Sequence, residues 1–267
     1  MTSQDTSSAP AQPEPITQRF SRHAALRSEF VYGRGYQGPA STTVFAELAG
    51  MARVAPGSRV LDVGAGLGGD AFRLATRYHA YVVGLDIAPD MTQLCLERTA
   101  ADGVTSVEFL TGDVLSTELA HDSFDVVWSR DCGMYLTPQG KADTWHALRQ
   151  LLRCGGRVVL TDYCRGRQRG SAEFERHVAE CGHHYATIEE YASLVTEAGL
   201  ADVHVVDRTA DLHESLVHEV AELARRRADF LARYSVAEYD NLMRRWERKL
   251  DFTAAGELIW LQLTATG

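Results

Sequence analysis

A glycine-rich turn after a short apolar run constrains the fold of this chain more than any other feature. The stretch VLDVGAGLGGDAF covers residues 60–72, and its four glycines predict a tight turn from a strand into a helix. Glycine adopts positive φ and lets the backbone approach a ligand closely. In a nicotinamide-binding protein such a turn holds a pyrophosphate on the helix N-terminus. Asp62, just before the turn, would repel a pyrophosphate and favours a cationic ligand instead.

Short apolar runs alternate with segments of helical spacing from residue 58 onwards. The runs predict strands at 59–63, 80–87, 107–113, 124–129, 156–164, 201–209 and 257–266. Helices are predicted between them, for example at 70–78 and 187–198. Strands that alternate with helices run parallel and are joined by right-handed crossovers. The sequence therefore predicts a doubly wound α/β sheet.

The segments outside this alternation predict further parts of the chain. Residues 1–15 are rich in Ser, Thr, Pro and Gln, lack the layout of a signal peptide, and predict a disordered leader. Residues 16–57 predict a helical lid and residues 211–255 a helical cap, both over the edge of the sheet where ligands bind in such folds. The core then covers 58–210, and 256–267 forms its final strand.

Composition excludes several classes of protein. The formal net charge of −9 and the pI of about 5.6 give no overall positive field to attract nucleic acid or an anionic membrane. No uninterrupted apolar stretch approaches the ~20 residues of a membrane span. The five cysteines are odd in number and form no CxxC pair, which favours a reducing cytoplasm. We expect a cytoplasmic protein with a small-molecule partner, and the N-terminal segment leaves a homo-oligomer open.

Two more aspartates end predicted strands at the same sheet edge. Asp86 ends the second strand about 20 residues past the glycine turn, where an acidic side chain takes a ribose diol. Asp113 ends the third strand and is placed to reach an adenine amino group. One such aspartate is explained by strand-end capping, but three carboxylates around a glycine turn describe a pocket for a positively charged nucleoside. S-adenosylmethionine fits that description, with S-adenosylhomocysteine as its product.

The sequence here resembles the class I S-adenosylmethionine-dependent methyltransferases. The resemblance covers residues 58–163 through LDVGAGLGG, GLDIAPDM, GDVL and LLRCGGRVVLTD. It implies a seven-stranded sheet whose last strand is antiparallel. It also implies that Asp62 and the glycines hold the methionine moiety, that Asp86 binds the ribose hydroxyls, and that the segment from Asp113 holds the adenine. The expected cofactor-binding set is Tyr36, Asp62, Gly64, Gly66, Asp86, Ile87, Asp113, Val114, Ser129 and Arg130.

Nearly the whole chain is similar to the phosphoethanolamine N-methyltransferases. The similarity runs through SEFVYGRGYQGPAST (28–42), SRDCGMYL (129–136), LTDYC (160–164), TIEEYASLV (187–195) and RRWERKL (244–250). That family has a catalytic latch, formed by a tyrosine of the N-terminal helix and a histidine four residues after the S-R-D aspartate. Phe20 and Tyr135 stand at these two places. Phenylalanine forms no hydrogen bond, and tyrosine with a pKa of ~10 is a poor base at neutral pH.

The expected phosphate site also departs from the family. Tyr163 and Lys249 match it, whereas His177, Cys181 and His183 stand where further tyrosine and arginine contacts are expected. Losing an arginine removes the best bidentate phosphate ligand, which argues against phosphoethanolamine as the substrate. The histidines and the cysteine lack the spacing of a known metal site, and we predict no metal.

The sequence leaves two main kinds of methyl acceptor, each a small specialised metabolite. One is a neutral amine, or a hydroxyl served by His183 or His184 as the base. The other is an electron-rich alkene or indole carbon, as in bacterial terpenoid and teleocidin-type C-methyltransferases, with the carbocation stabilised by aromatic faces and a carboxylate. The carbon acceptor is slightly favoured, because an apolar substrate explains the changed latch better. A non-catalytic module that binds S-adenosylmethionine is the third alternative. The candidate catalytic residues are Phe20, Asp131, Tyr135, Tyr163, His183 and His184.

Overall fold

Seven strands form a single sheet in the computed structural model, which describes residues 19–38 and 42–267. The strands are β1 (Arg59–Val63), β2 (Tyr81–Asp86), β3 (Val107–Thr111), β4 (Phe124–Arg130), β5 (Leu152–Arg165), β6 (Ala201–Asp207) and β7 (Leu258–Thr266). Their order across the sheet is β3-β2-β1-β4-β5-β7-β6, and β7 runs antiparallel to β5 and β6. The predicted doubly wound sheet with an antiparallel last strand is confirmed.

Helices flank the strands. They are α1 (Arg22–Tyr32), α2 (Thr42–Met51), α3 (Gly69–Tyr78), α4 (Pro89–Asp102), α5 (Pro138–Leu151), α6 (Ala172–Cys181), α7 (Ile188–Glu197), α8 (Thr209–Arg225), α9 (Arg227–Leu231) and α10 (Val236–Ala254). Helices α1 and α2 precede the sheet, and α8, α9 and α10 lie between β6 and β7. The predicted leader at 1–15 and the start of the predicted lid lie outside the described residues. The division into lid, core and cap therefore stays a prediction.

The parallel register brings the carboxyl ends of the central strands to one edge of the sheet. Val63 at the end of β1 is level with Leu85 on one side and with Ser129 on the other. Arg130, the last residue of β4, is level with Thr161 of β5. Polar residues near the ends of these strands are therefore neighbours in space, although Val63 and Thr161 are 98 residues apart along the chain.

The helix limits follow ordinary capping chemistry. Pro89 occupies the first turn of α4, and Gly103, with φ of 65°, ends that helix in the left-handed conformation. Thr187 and Ser235 begin α7 and α10 with capping boxes, in which a glutamate three residues later bonds back to the cap. Among the described residues, no helix combines the length and the apolar character needed to cross a membrane.

Candidate active site

A cavity of about 360 Å³ lies at the carboxyl ends of β1, β2 and β4. The glycine turn after β1 forms one wall, while residues 35–38 and helix α10 contribute to others. The cavity is lined by every residue that the sequence predicts for the cofactor. Four of the six predicted catalytic residues also line it, namely Phe20, Asp131, Tyr135 and Tyr163.

The glycine turn holds its shape through close backbone contacts. Gly64 has φ of 71°, and its amide donates to the carbonyl of Leu85 at 2.8 Å. A methyl group on Gly64 would lie 2.7 Å from Cβ of Cys132, which is closer than real carbon atoms approach. Glycine is therefore required here by its positive φ and by the close approach of Cys132. The turn leaves a cradle, a concave surface beside Gly64, that a larger residue would fill.

Asp62 is a buried carboxylate beside this cradle. It is only 4% exposed, and its carboxylate accepts none of the hydrogen bonds found among the described residues. Burial raises the pKa of Asp62 well above its ordinary value, and the negative charges of Asp70 and Asp86 add to this effect. A buried anion without a hydrogen-bond donor is stabilised by a cationic ligand. The sulfonium and ammonium groups of S-adenosylmethionine supply such a charge, so these residues fit that cofactor.

Asp86 links the second strand to the glycine turn. Its carboxylate accepts hydrogen bonds from the amides of Gly66 at 2.7 Å and Ala88 at 2.8 Å. Burial raises the pKa of Asp86, although these two bonds oppose the effect. The two amides fix the orientation of the carboxylate, whose remaining lone pairs can accept from a ribose diol. Asp113 follows β3 and accepts from the amide of Leu115 at 3.0 Å.

Asp70, which the sequence did not predict as a site residue, accepts three hydrogen bonds at the edge of the cavity. It is buried, and its carboxylate accepts from Tyr36 Oη at 3.0 Å, from Trp128 Nε1 at 3.1 Å and from Arg130 Nη1 at 3.4 Å. These donors come from the N-terminal segment and from β4. The signal that could have found Asp70 is its position in the first turn of the helix that follows the glycines.

Hydrogen bonds fix one of the two carboxylate oxygens of Asp131. It has φ of 54°, an uncommon left-handed conformation for a residue with a side chain. Its Oδ1 accepts from Trp260 Nε1 at 2.8 Å and from Thr161 Oγ1 at 3.0 Å. The other oxygen, Oδ2, lies 3.7 Å from where a methyl group on Gly38 would stand, and both residues line the cavity. Trp260 was also missed, because nothing in the sequence of β7 marks it as a partner of Asp131.

Phe20 and Tyr135, the two residues at the latch positions, are in contact. Their ring centroids lie 5.5 Å apart at 87°, an edge-to-face arrangement. The guanidinium of Arg19 lies 5.4 Å from the Tyr135 ring centroid. Burial raises the pKa of Tyr135, while Arg19 partly opposes that effect. A phenol that ionises less readily forms even less of the phenolate that could act as a base near neutral pH, which supports a role for Tyr135 in shaping the cavity.

The two histidines proposed as bases do not line this cavity among the described residues. His183 packs against the Tyr135 ring at 5.2 Å, and its Nδ1 is 2.7 Å from Tyr185 Oη. Burial lowers the pKa of His183 to about 2. His184 is exposed. The described residues also contain no group of three or more His, Cys, Asp or Glu that is arranged to hold a metal ion.

Cations on α10 also line the cavity. Lys249 Nζ is 3.4 Å from Tyr163 Oη and 4.5 Å from the centroid of the Tyr163 ring. Arg245 stands one helical turn earlier on α10, and it lines the same cavity. Burial, reinforced by Arg245, lowers the pKa of Lys249 to about 8. Arg245 was missed by the sequence analysis, although the i, i+4 spacing from Lys249 places both on one helix face.

Comparison with known proteins identifies the class of this domain. Residues 60–156 match a protein family described as a methyltransferase domain. The chain carries a class I S-adenosylmethionine-dependent methyltransferase domain, and the predicted family and cofactor are confirmed.

Within that class, the chain is similar to phosphoethanolamine N-methyltransferases. It is 31% identical over 243 residues to phosphoethanolamine N-methyltransferase 1 of Arabidopsis thaliana, covering 91% of this chain and 49% of that protein. It is 26% identical to the Plasmodium falciparum enzyme, covering 83% of each chain. The chain spans about half the length of the first plant relatives that it matches.

Solved structures give the same result for the fold. The Haemonchus contortus phosphoethanolamine N-methyltransferase 2, in complex with phosphomonomethylethanolamine and S-adenosylhomocysteine, superposes with a TM-score of 0.89 at 25% identity. That match covers 93% of this chain and 58% of the other. Geranyl diphosphate C-methyltransferase of Streptomyces coelicolor has a TM-score of 0.69 at 15% identity, covering 97% of this chain and 89% of the other, which shows a shared fold alone.

Proposed function

We propose that this chain transfers the methyl group of S-adenosylmethionine to the nitrogen of a small amine whose other end carries an anionic group. The single observation that carries the proposal is that the lining of one cavity holds both a carboxylate and two cations. Asp131 lies at the end of β4, beside Ser129 and Arg130 at the cofactor end, while Lys249 and Arg245 lie on α10. A molecule with an amine at one end and an anion at the other complements both groups.

Asp131 is suited to the amine end of the acceptor. Bound S-adenosylmethionine supplies an electrophilic methyl group, and the acceptor nitrogen takes over both the methyl group and the positive charge. Trp260 and Thr161 hold Oδ1 of Asp131, so the position of Oδ2 is set before the acceptor binds. A preorganised carboxylate stabilises the ammonium as it forms, because it needs no reorganisation during the reaction. The amine releases its proton to solvent before the transfer and attacks in its neutral form, so the step requires no base from Tyr135.

Lys249 and Arg245 are suited to the anionic end. The positions that resemble a phosphate clamp are occupied by His177, Cys181 and His183. Burial lowers the pKa of His177 to about 4 and of His183 to about 2, so both imidazoles are neutral near pH 7. The charge available to an anion therefore comes from α10 in place of that clamp. Both phosphate and carboxylate satisfy this chemistry, and an experiment distinguishes them.

The test measures methyl transfer from labelled S-adenosylmethionine to four acceptors. These are phosphoethanolamine, β-alanine, n-propylamine and indole. We expect kcat/KM for an amine with an anionic end to exceed that for n-propylamine by ~10-fold or more. Arg245→Met should remove most of this difference, and Arg244→Met is the matched control, because the exposed Arg244 does not line the cavity. Equal rates with n-propylamine, or equal effects of the two arginine variants, would overturn the proposal.

A carbon acceptor is the second candidate, and the aromatic lining favours it. Phe20 and Tyr135 meet edge to face, and Tyr32 and Trp246 form a second such pair at 5.9 Å in the same cavity. Aromatic faces stabilise a carbocation. Transfer to indole with none to the amines would establish this function. Binding of S-adenosylhomocysteine without transfer to any acceptor would instead indicate a non-catalytic module.

A further inference from the structure

Lys141 is a buried lysine whose ammonium group is fully occupied by the backbone. The residue lies in the first turn of α5 and is 2% exposed. Its Nζ donates to the carbonyls of Gly133 at 2.6 Å, Leu136 at 2.7 Å and His184 at 2.6 Å. A lysine ammonium has three donors, and each of them has an acceptor here. A charge buried in this way is costly without such bonds, so the position requires a specific reason.

The three carbonyls belong to two separate segments of the cavity region. Gly133 and Leu136 are in the loop after β4 (residues 131–136), which also carries Asp131 and Tyr135. His184 is in the loop between α6 and α7 (residues 182–187), next to His183 and Tyr185. The two loops also meet directly, since the amide of His184 donates to the carbonyl of Met134 at 2.8 Å. Lys141 therefore joins the two loops that also meet through the Tyr135–His183 ring contact.

The loop of residues 131–136 is also packed closely against side chains of β5 and α7. A methyl group on Gly133 would lie 2.4 Å from Asp162 Oδ2 and 2.6 Å from Tyr191 Oη, so the loop already rests on these two side chains. Asp162 and Tyr191 are themselves joined by a hydrogen bond of 2.8 Å. The loop therefore packs closely against Asp162 and Tyr191 and is also bound by Lys141.

We infer that Lys141 is a positioning residue, which fixes the loop that carries Asp131 and Tyr135 against the loop of residues 182–187 and thereby sets the acceptor wall of the cavity. The cofactor wall of the cavity, made of the glycine turn with Asp62 and Asp86, is built from other contacts. One of these is the hydrogen bond from the amide of Gly66 to the carboxylate of Asp86. Loss of the ammonium therefore loosens the acceptor wall and leaves the cofactor wall in place. The assignment of this wall to the acceptor rests on the proposed function, but the clamp between the loops does not.

The first experiment compares Lys141→Met with the matched control Gln150→Met, an exposed position on the same helix. Hydrogen exchange is followed at the amides of Tyr135, Leu136 and His184, which form backbone bonds within and between the loops. We expect exchange at these amides to rise ~10-fold or more in Lys141→Met alone. Exchange at Gly66 and the Kd of S-adenosylhomocysteine should stay within about twofold. The acceptor kcat/KM should fall ~30-fold, and Lys141→Arg should recover part of it.

The second experiment supplies the missing group from solution. Lys141→Ala removes three carbons and the nitrogen, and n-propylammonium has the same atoms. We expect n-propylamine to restore slow exchange at Leu136 and His184, whereas n-propanol, of similar size and without charge, should not. Exchange is the readout, so the result does not depend on which acceptor is methylated.

Two results would overturn the inference. One is unchanged exchange in Lys141→Met. The other is exchange that rises equally at Gly66 and in both loops with no response to n-propylamine, because Lys141 would then support folding alone. If the loops behave as expected and no amine is methylated, the clamp stands and the proposed function fails.

Discussion

Gly69→Ala offers a sharp test of how the N-terminal segment closes the cofactor end of the cavity. Gly69 begins α3, and a methyl group there would lie 2.6 Å from the carbonyl oxygen of Gly35 and 2.6 Å from Cζ of Tyr36. Nonbonded carbon atoms prefer ~3.5–4.0 Å, so the segment must move by about 1 Å. The obstruction includes backbone, which cannot rotate away as the end of a flexible side chain can.

The expected magnitude follows from the contacts that this movement breaks. Gly69 donates its amide to Gly35 O at 3.1 Å, and Tyr36 donates its hydroxyl to Asp70 at 3.0 Å. Overpacking of this kind costs ~1–3 kcal/mol, while alanine in a helix returns up to ~1 kcal/mol relative to glycine. Because residues 36–38 line the cavity, we expect the cost to appear as a Kd for S-adenosylhomocysteine that is raised ~10-fold.

The assay is titration calorimetry of S-adenosylhomocysteine together with thermal unfolding. Gly50→Ala is the matched control, because Gly50 lies in helix α2 and a methyl group there meets no atom within 4 Å. That variant should gain ~0.5–1 kcal/mol of stability and keep its Kd. A Gly69→Ala protein with an unchanged Kd and the same gain in stability as Gly50→Ala would refute the reasoning.

Four further predictions concern single residues. Tyr135→Phe should keep kcat within about threefold, because Tyr135 shapes the cavity; a fall of ~10⁴ at unchanged acceptor KM would make it a proton-transfer residue. Asp86→Ala should raise the Kd of S-adenosylmethionine ~10-fold or more and leave turnover at saturation nearly intact, and an unchanged Kd by calorimetry would contradict the ribose role. The pKa of Lys249, lowered to about 8, means that its positive charge is present below that pH and is lost above it. The acceptor KM should therefore rise by up to ~10-fold per pH unit in the alkaline range, and a Lys249→Met protein with the same profile would contradict this. Gly133→Ala should lower the free energy of unfolding by ~1–3 kcal/mol, measured by urea denaturation, because the methyl group overlaps Asp162 and Tyr191.

The meeting of the predicted cofactor residues around one cavity could be predicted from the sequence, because these residues lie in short continuous stretches. The glycine turn and Asp62 share one motif, and Asp86 and Asp113 each directly follow an apolar run. Parallel strands then bring such positions to one edge without any knowledge of side-chain packing. The antiparallel direction of β7 came from the family resemblance, since alternation alone does not specify the direction of a last strand, and the order of the strands came from the structure.

The partners of these residues could not be predicted in the same way. Trp260 is 129 residues from Asp131, and it reaches the carboxylate only because β7 pairs with β5 in a register that sets Trp260 level with Tyr163. Lys141 looks like a solvated helix residue in the sequence, and its burial depends on two loops that close over it. Asp70 has three partners from two elements. Each of these contacts is a consequence of tertiary packing, which local pattern does not encode.

On the proposed function, one part of the cavity lining serves the cofactor and another serves the acceptor, so the acceptor can differ between relatives while the cofactor stays the same. The cofactor wall, made of the glycine turn with Asp62 and Asp86, uses backbone amides and strand-end carboxylates, which the turn and the strand ends hold in place. The acceptor wall instead uses side chains from four separate elements, with Phe20 before α1, Tyr135 after β4, Tyr163 on β5, and Arg245 and Lys249 on α10. Each of these residues contributes a ring or a charge through its own side chain, so we expect a substitution there to change acceptor chemistry more than cofactor binding. The aromatic pair at the latch positions is a change of this kind, whereas Tyr163 and Lys249 match the phosphoethanolamine N-methyltransferases.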